Sequence, residues 1–256
     1  MRDACRVMRR SGKSSARVMS RVVGTNRLLA ALPDNDRRRF LASCDRVELT
    51  SADMLQEAGT PLRHVYFPTG GFISLVTPLG ACPGLEIGLV GDEGMVGVAL
   101  LLGVSASPRQ HFVRGSGSAL RMTAASFRRE LERSPLLRRR LNLYLHVKMH
   151  QFAQAAACVR FHALEARLAR WLLMAHDRAH SNELHATQES VAHMLGVRRV
   201  GVTKAATSMQ KLSLIRYSRG DITIVDRRGL EACSCGCYDA GKKLYDRVLG
   251  RTSFDE

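Results

Sequence analysis

Thr187 to Val202 reads TQESVAHMLGVRRVGV, and its reading decides the fold. Thr187 is a helix-capping residue type, and Glu189 in the first turn favours the positive end of a helix dipole. Val191, Ala192, Met194 and Leu195 fall on one helical face, and Ala192 is small where a second helix has to cross closely. Gly196, nine residues after Thr187, supplies the positive φ that a sharp reversal needs. A second helix then runs to about Leu212 and buries Val202, Ala206 and Met209. It leaves Arg198, Arg199, Thr203, Lys204 and Thr207 on its other face. The spacing predicts a helix–turn–helix whose basic side fits a major groove.

The following residues extend the unit. Leu214-Ile-Arg-Tyr217 and Ile222-Thr-Ile-Val225 are rich in strand formers and flank Ser218-Arg-Gly-Asp221, a turn with Gly220. An ordinary helical hairpin with a solvated basic side would account for the helices but not for this wing. Residues 196–230 hold eight Lys/Arg against two Asp, a local charge of +6 and the sign that phosphate contacts require.

Working outward, 256 residues with 45% hydrophobic content suggest two domains with sizeable cores. The net charge of +16 favours a polyanionic partner. No run of 18 apolar residues exists, so a membrane-spanning helix is not expected. Seven cysteines, at 5, 44, 82, 158, 233, 235 and 237, do not form a disulfide framework, which points to a reducing cytoplasm. Residues 1–25 hold seven Lys/Arg and one Asp. They read as a basic flexible tail, with an arginine-rich transit peptide as the other reading on composition and Met19 as an alternative start.

Residues 26–133 read as a β-rich domain entered through short helices broken near Pro33. Between 64 and 108 there is no Lys or Arg, and nine Gly and four Pro punctuate short apolar runs. These runs are Val65-Tyr-Phe, Phe72 to Val76, Leu85-Glu-Ile and Met95 to Ala99, continued by Phe112-Val and Ala119 to Met122. Short strands at this spacing predict a sandwich or jelly roll. After a short helix from Ser126 to Arg133, Pro135 suits the first turn of a long helix over 134–160. Its near-heptad positions Leu137, Leu141, Tyr144, Lys148, Gln151 and Ala155 are the expected dimer seam, with Leu136, Leu143 and Val147 against the sheet domain. A single broad core face is the alternative. Phe161 to His176 is a strong amphipathic helix opening the winged domain over 161–232, and a cysteine-containing tail with one more helix fills 233–256. The fold class is α+β.

A β-rich domain, a long helix and a C-terminal winged helix, in that order, resemble the Crp/Fnr family of bacterial transcription regulators across roughly residues 27–231. Gln56-Glu-Ala-Gly-Thr-Pro61 looks like the family's strand–turn–strand, with Gly59 at the turn. Gly94-Met-Val-Gly97 onward and Pro108-Arg-Gln-His-Phe-Val113 look like the two arms of its phosphate-binding cassette. The resemblance implies a homodimer on a palindromic duplex. It places Arg199, Val200 and Lys204 at base edges, Arg198 on a phosphate, Thr203 on the same face, and Thr187, Gln188, Arg216 and Arg219 at the DNA backbone. It also implies contact with RNA polymerase.

In ligand-binding members an acidic residue after the cassette glycine holds a ribose hydroxyl and an arginine of the second arm pairs with the phosphate. Gly97 and Arg109 match, but Val98 stands at the acidic position. Valine accepts no hydrogen bond, so a cyclic nucleotide is not the expected effector. Cys5, Cys44 and Cys82 are too dispersed for an iron–sulfur sensor. His64, His111 and His146 stand as haem-ligand candidates, each more simply an ordinary histidine. Cys233-Ser-Cys-Gly-Cys237 lacks the usual C-x2-C knuckle and assigns no metal by spacing alone. Zinc with one further ligand, a redox disulfide and a packed tail stand open for it. No cofactor is assigned. The expected function is a sequence-specific, dimeric DNA-binding regulator. The alternative is one whose sheet domain has lost its ligand and serves only dimerisation or polymerase contact. A cupin-like metalloenzyme on His64, Glu86 and His111 lacks an H-x-H pair, so no catalytic residue is assigned.

Overall fold

The computed structural model describes residues 24–80 and 82–250. The basic stretch of residues 1–23, including Cys5 and Met19, lies outside the described residues. Two short helices come first, α1 (Arg27–Ala30) and α2 (Asp34–Ala42), separated at Pro33 as the sequence suggests. Asn26 caps α1, and its buried amide donates to the carbonyls of Pro68 and Gly94, tying the entry of the chain to the sheet.

Five strands build the first domain: β1 (Asp45–Leu49), β2 (Met54–Gln56), β3 (His64–Leu79), β4 (Cys82–Val90) and β5 (Gln110–Thr123). They are antiparallel in the order β1-β5-β3-β4, with β2 also on β5. The apolar runs at 65–67 and 72–76, expected as separate strands, are one bent strand, and so are those at 112–113 and 119–122. Register shifts between Pro68 and Ile73 produce the bend. Gly71 (φ +73°) sits there with its Cα close to the Gly115 and Ser116 carbonyls, where a side chain would collide. The run Met95 to Ala99 is not a strand. Val96 makes only an isolated bridge to Tyr66, and Val98–Leu102 turns into a 3-10 helix between Gly97 and Gly103, both left-handed. One face of the sheet packs Val65, Phe67, Leu120 and Met122 onto helices, and Ile73, Leu75, Val90 and Val113 fill the other.

Helix α3 (Ala124–Arg133) is capped by Thr123, and α4 (Pro135–Phe161) by Ser134 with Pro135 in its first turn. The expected dimer seam on α4 needs correction. Leu137, Leu141, Tyr144 and Lys148 are buried within the chain itself, and the Tyr144 hydroxyl donates to the Met95 carbonyl. Gln151 and Ala155 are half-buried. Of the residues assigned to the sheet side, Val147 is buried but Leu143 is 38% exposed. The apolar stripe on the solvent side is Leu143, Met149 and Ala153 with Ala156–Ala157. A helix with apolar residues on both sides does not tell from sequence which side meets its own domain.

The second domain runs through α5 (Leu164–Ala179), β6 (Glu183–His185), α6 (Gln188–Leu195), α7 (Arg199–Lys211), β7 (Ile215–Ser218), β8 (Asp221–Ile224) and α8 (Arg227–Cys233). It shares one core around Leu168, Leu172, Val191, Val202, Met209 and Ile222. Helix α9 (Cys237–Leu249) then returns to the first domain. Tyr245 and Leu249 join the core beside α4, Arg140 donates to the Leu249 carbonyl, and the Arg27 guanidinium lies over the Tyr245 ring.

Candidate nucleic-acid interface

Helix α6 starts where the sequence places it. Thr187 Oγ1 accepts from the Ser190 amide at 3.1 Å. It stops at Gly196 in the left-handed region, whose amide reaches back to the Ala192 and His193 carbonyls. Val197 also donates to the Ala192 carbonyl, which closes the turn at 3.0 Å. Val202, Ala206 and Met209 are buried against Val191, Met194 and Leu195 as expected. A residue missed by sequence reasoning is Gly201: a Cβ there would approach Leu164 of α5 to 2.9 Å, so glycine lets these helices cross.

The wing is a three-stranded sheet in the order β6-β8-β7. Its hairpin has positive φ at both Arg219 and Gly220, the backbone of a type I′ turn. Strand β6 was not expected, since the alternation of Glu183, Leu184 and His185 is only three residues long. Tyr217 fastens the wing. Its amide donates to Gln210 Oε1 and its hydroxyl to the Ala186 carbonyl, both at 2.6 Å.

The assembly leaves one continuous exposed face. Arg198, Arg199, Val200, Thr203 and Lys204 on α7 are exposed, as are Thr187, Arg216 and Arg219, while Gln188 is half-buried because its Oε1 accepts from Thr203 Oγ1 at 2.6 Å. Helix α7 begins with Arg198 and Arg199, has no acidic residue in its first turn and no side-chain cap. Two cations at the positive end of a helix dipole with free amide groups are unfavourable alone and favourable beside an anion. Among the described residues, none of Arg198, Arg199, Lys204, Arg216 and Arg219 has an ion-pair partner, whereas Arg227 just beyond the wing pairs with Asp177 and Glu231.

The proposed cassette is assembled but closed. Gly97 (φ +94°) lies against Val65 and the His64 carbonyl, and half-buried Val98 packs on the helix-side core. Gly97, Val98, Arg109, Ser107 and His111 line a cavity of about 20 Å³. That is room for about one water and far from the roughly 300 Å³ of a ligand pocket. Lys148 and Phe152 of α4 form its far wall. The Arg109 guanidinium stacks 5.0 Å from the Phe152 ring centroid, and Lys148 Nζ donates to the Leu89 carbonyl at 3.2 Å. Burial pushes the His111 pKa down to about 4 and that of Lys148 down to about 7. His64 is half-buried at the start of β3 with its ring 6.2 Å from that of Tyr66, and His146 is exposed on α4.

The two domains are latched through pairings that the sequence does not disclose, and Glu86, weighed above as a metal ligand, belongs to one of them. Trp171 Nε1 of α5 donates to Glu86 Oε1 of β4 at 2.9 Å, and Ser74 Oγ donates to the other carboxylate oxygen. Burial pushes the Glu86 pKa up to about 7 against these two donors and the Arg114 and Arg178 charges. Arg178 of α5 grips Glu93 Oε1 through Nε and Nη2 at 2.9 and 2.7 Å, both side chains being largely buried. Leu85 rests against the Gly196 turn.

Residues 166–233 match the profile of the Crp-like helix-turn-helix domain. Among curated proteins no match is found. Among solved structures, a protein assigned to the Crp/Fnr regulators from Eubacterium rectale superposes with a TM-score of 0.63 at 16% identity, covering 80% of this chain and 96% of its own. FixK2 from Bradyrhizobium japonicum gives 0.63 at 12% identity, covering 75% and 98%. The c-di-GMP responsive regulator CLP of Xanthomonas campestris gives 0.60 at 16%, covering 76% and 100%. No helix among the described residues is long and apolar enough to cross a membrane. Residues 166–233 thus match a Crp-like helix-turn-helix domain, and about four fifths of the chain shares the fold of solved Crp/Fnr regulators.

Proposed function

We propose that this protein is a sequence-specific DNA-binding regulator of transcription, not an enzyme, that acts as a dimer on a palindromic operator and takes no cyclic nucleotide as effector. The observation that carries the reading is the exposed face of α7, where Arg198 and Arg199 crowd the positive helix end with no anion partner. Arg199 and Lys204 read base edges and Val200 packs on a thymine methyl, while Arg198 holds a phosphate. Thr203 keeps Gln188 in place at the groove edge, and Thr187, Gln188, Arg216 and Arg219 contact the DNA backbone. Dimerisation uses the solvent side of α4, where Leu143, Met149 and the small residues Ala153 and Ala156 favour close helix approach. The two-fold axis sets half-sites about one helical turn apart.

Against a cyclic nucleotide stand Val98, which offers the ribose no acceptor, and a cavity near Arg109 of about 20 Å³. The same closure favours, as the second reading, a sheet domain that has lost its ligand and contributes dimerisation or contact with RNA polymerase. Selection of bound duplexes from a random library, with and without cAMP, tests both statements. A palindrome enriched equally in both arms is the expected result. Enrichment only with cAMP overturns the reading of the cassette, and binding without any sequence preference overturns sequence-specific recognition.

A further inference from the structure

The hinge between α4 and α5 carries a cluster that DNA recognition does not use. Cys158 and His162 stand one helical turn apart at the end of α4, so both side chains leave the same face. Cys235 and Cys237 come from the α8–α9 junction more than seventy residues later. The three thiols are buried and form their own small cluster with Ala166, and the exposed His162 stands beside them. Cys158 Sγ lies 3.6 Å from Cys235 Sγ, and Cys237 Sγ lies 3.6 Å from His162 Nδ1. All four ligand atoms fall within 4.8 Å of one another.

We propose that Cys158, His162, Cys235 and Cys237 bind one Zn²⁺ in a Cys3His site that fixes the hinge between α4 and the DNA-binding domain. A tetrahedral ion with Zn–S of about 2.3 Å and Zn–N of about 2.0–2.1 Å holds neighbouring ligand atoms roughly 3.5–3.8 Å apart, which is the spacing of the two close pairs. A disulfide needs about 2.05 Å between two sulfurs and gives no role to a third thiol or an imidazole. Iron–sulfur clusters take four cysteines in their ordinary form, and three with a histidine facing one point suit a single borderline-soft cation. Each thiol gives its proton to solvent as it takes its place on the metal, and four filled positions leave no open site for catalysis. Three thiolates and one Zn²⁺ sum to one negative charge, and Arg167 and Arg170 are near enough to act on these sulfurs.

Cys233, the first cysteine of the C-x-C-x-C run, is exposed and takes no part. This explains why the sequence pattern looked unlike a knuckle: only its last two thiols are ligands, and the other two ligands lie on a distant helix. The site also reaches the DNA-binding surface. Arg167, beside the cluster, donates to the Leu195 carbonyl at the end of α6, the residue before the Gly196 turn. A cation that joins α4 to the α8–α9 junction therefore sets where α5 starts and how α6 is held. This last step rests on the reading of the chain as a DNA-binding regulator, whereas the metal site itself does not.

The test uses the full chain purified under reducing conditions without chelator. Elemental analysis is expected to find about one Zn²⁺ per chain, lost in Cys158→Ser and Cys235→Ser and kept in Cys233→Ser. Metal-free wild-type protein titrated with Co²⁺ alone is expected to show thiolate-to-metal charge transfer and the strong visible bands of a tetrahedral ion. That measurement stands even where a cysteine variant does not fold. A wild-type Co²⁺ spectrum without thiolate bands, or a Cys158–Cys235 disulfide in protein that never takes up metal, overturns the site. Metal removal is expected to weaken operator binding by about 5- to 150-fold. Full occupancy with unchanged DNA affinity overturns the coupling, and occupancy in a protein that binds no DNA overturns the functional reading while leaving the site intact.

Discussion

Glu86→Gln isolates the latch between the domains. The Glu86 carboxyl accepts from Trp171 and Ser74, and burial raises its pKa from 4.5 to about 7. Between those values the folded protein holds a proton that the unfolded chain has released, so stability falls as pH rises through the window. A rise from 4.5 to about 7 corresponds to about 3 kcal/mol, an upper figure because Glu86 keeps part of its surface open. Below about pH 4.5 the contribution is complete, and above about pH 7 the buried carboxylate is ionised in both states. Glutamine keeps the acceptor for Trp171, can donate to Ser74, and never ionises. The variant is therefore expected to be more stable than wild type by about 1–3 kcal/mol at pH 8 and nearly equal at pH 4. Urea unfolding at a series of pH values measures this, with Trp171, the sole tryptophan of the chain, as the fluorescent probe on the bond itself. Lys148 titrates with the opposite slope, but it is common to both proteins and cancels in their difference. A difference curve that is flat from pH 4 to 8, or that slopes the other way between 4.5 and 7, would refute the argument.

Lys148→Met removes a buried ammonium whose pKa lies near 7 rather than 10.5. Stability in wild type is lost as pH falls from 10.5 to 7, so the variant is expected to gain about 2–4 kcal/mol at pH 6 after allowing for the abandoned Leu89 carbonyl, and to lose that advantage by pH 10. Denaturation midpoints at the two pH values check it. Glu93→Gln leaves the Arg178 guanidinium buried without its counter-charge, and calorimetry is expected to show a loss of about 3–5 kcal/mol. Arg199→Ala is expected to cost about 1–3 kcal/mol at one base position of the operator, and equal weakening on all sequences would remove its base-reading role. Met149→Asp is expected to dissociate the dimer in sedimentation runs while changing the unfolding of the monomer by no more than about 0.5 kcal/mol, since Met149 is 63% exposed.

What the sequence disclosed was whatever depends on neighbours in the chain. Thr187 and Gly196 set the ends of α6 through hydrogen bonds within nine residues, and the Arg219-Gly220 turn is local too, so both were readable. The strand boundaries of the sheet domain were less so. Gly70 and Gly71 look like a turn, yet they mark a bend inside one long strand because Gly117 and Gly115 face them across the ladder. The orientation of α4 was misread because Leu137, Leu141 and Tyr144 satisfy a heptad seam and an intramolecular core equally well. Pairings between residues seventy or more positions apart left no trace in the sequence. Nothing in the segments around Glu86, Glu93 and Cys235 names Trp171, Arg178 and Cys158 as their partners, even where the segment itself stands out, as the Cys233–Cys237 run does.

Those distant pairings share a geometry that bears on how the sheet domain reaches the DNA-binding face. The loop Gly91–Gly94 precedes the cassette directly, and it holds the end of α5 at two points, Glu93 on Arg178 and Asp92 on His180, and α9 at a third, where the Glu93 carbonyl accepts from Tyr245. The cassette's other wall, Lys148 and Phe152, belongs to α4. An occupant larger than the present cavity would have to displace either that wall or that loop. Displacing the wall moves α4 against the α9 helix packed on it, and displacing the loop moves the far end of α5. Both routes end at helices that carry the helix–turn–helix, one through Trp171 and Arg178, the other through the hinge at Cys158 and His162. The wall of the cavity and the contacts that hold the two domains together therefore lie on the same two helices, α4 and α5.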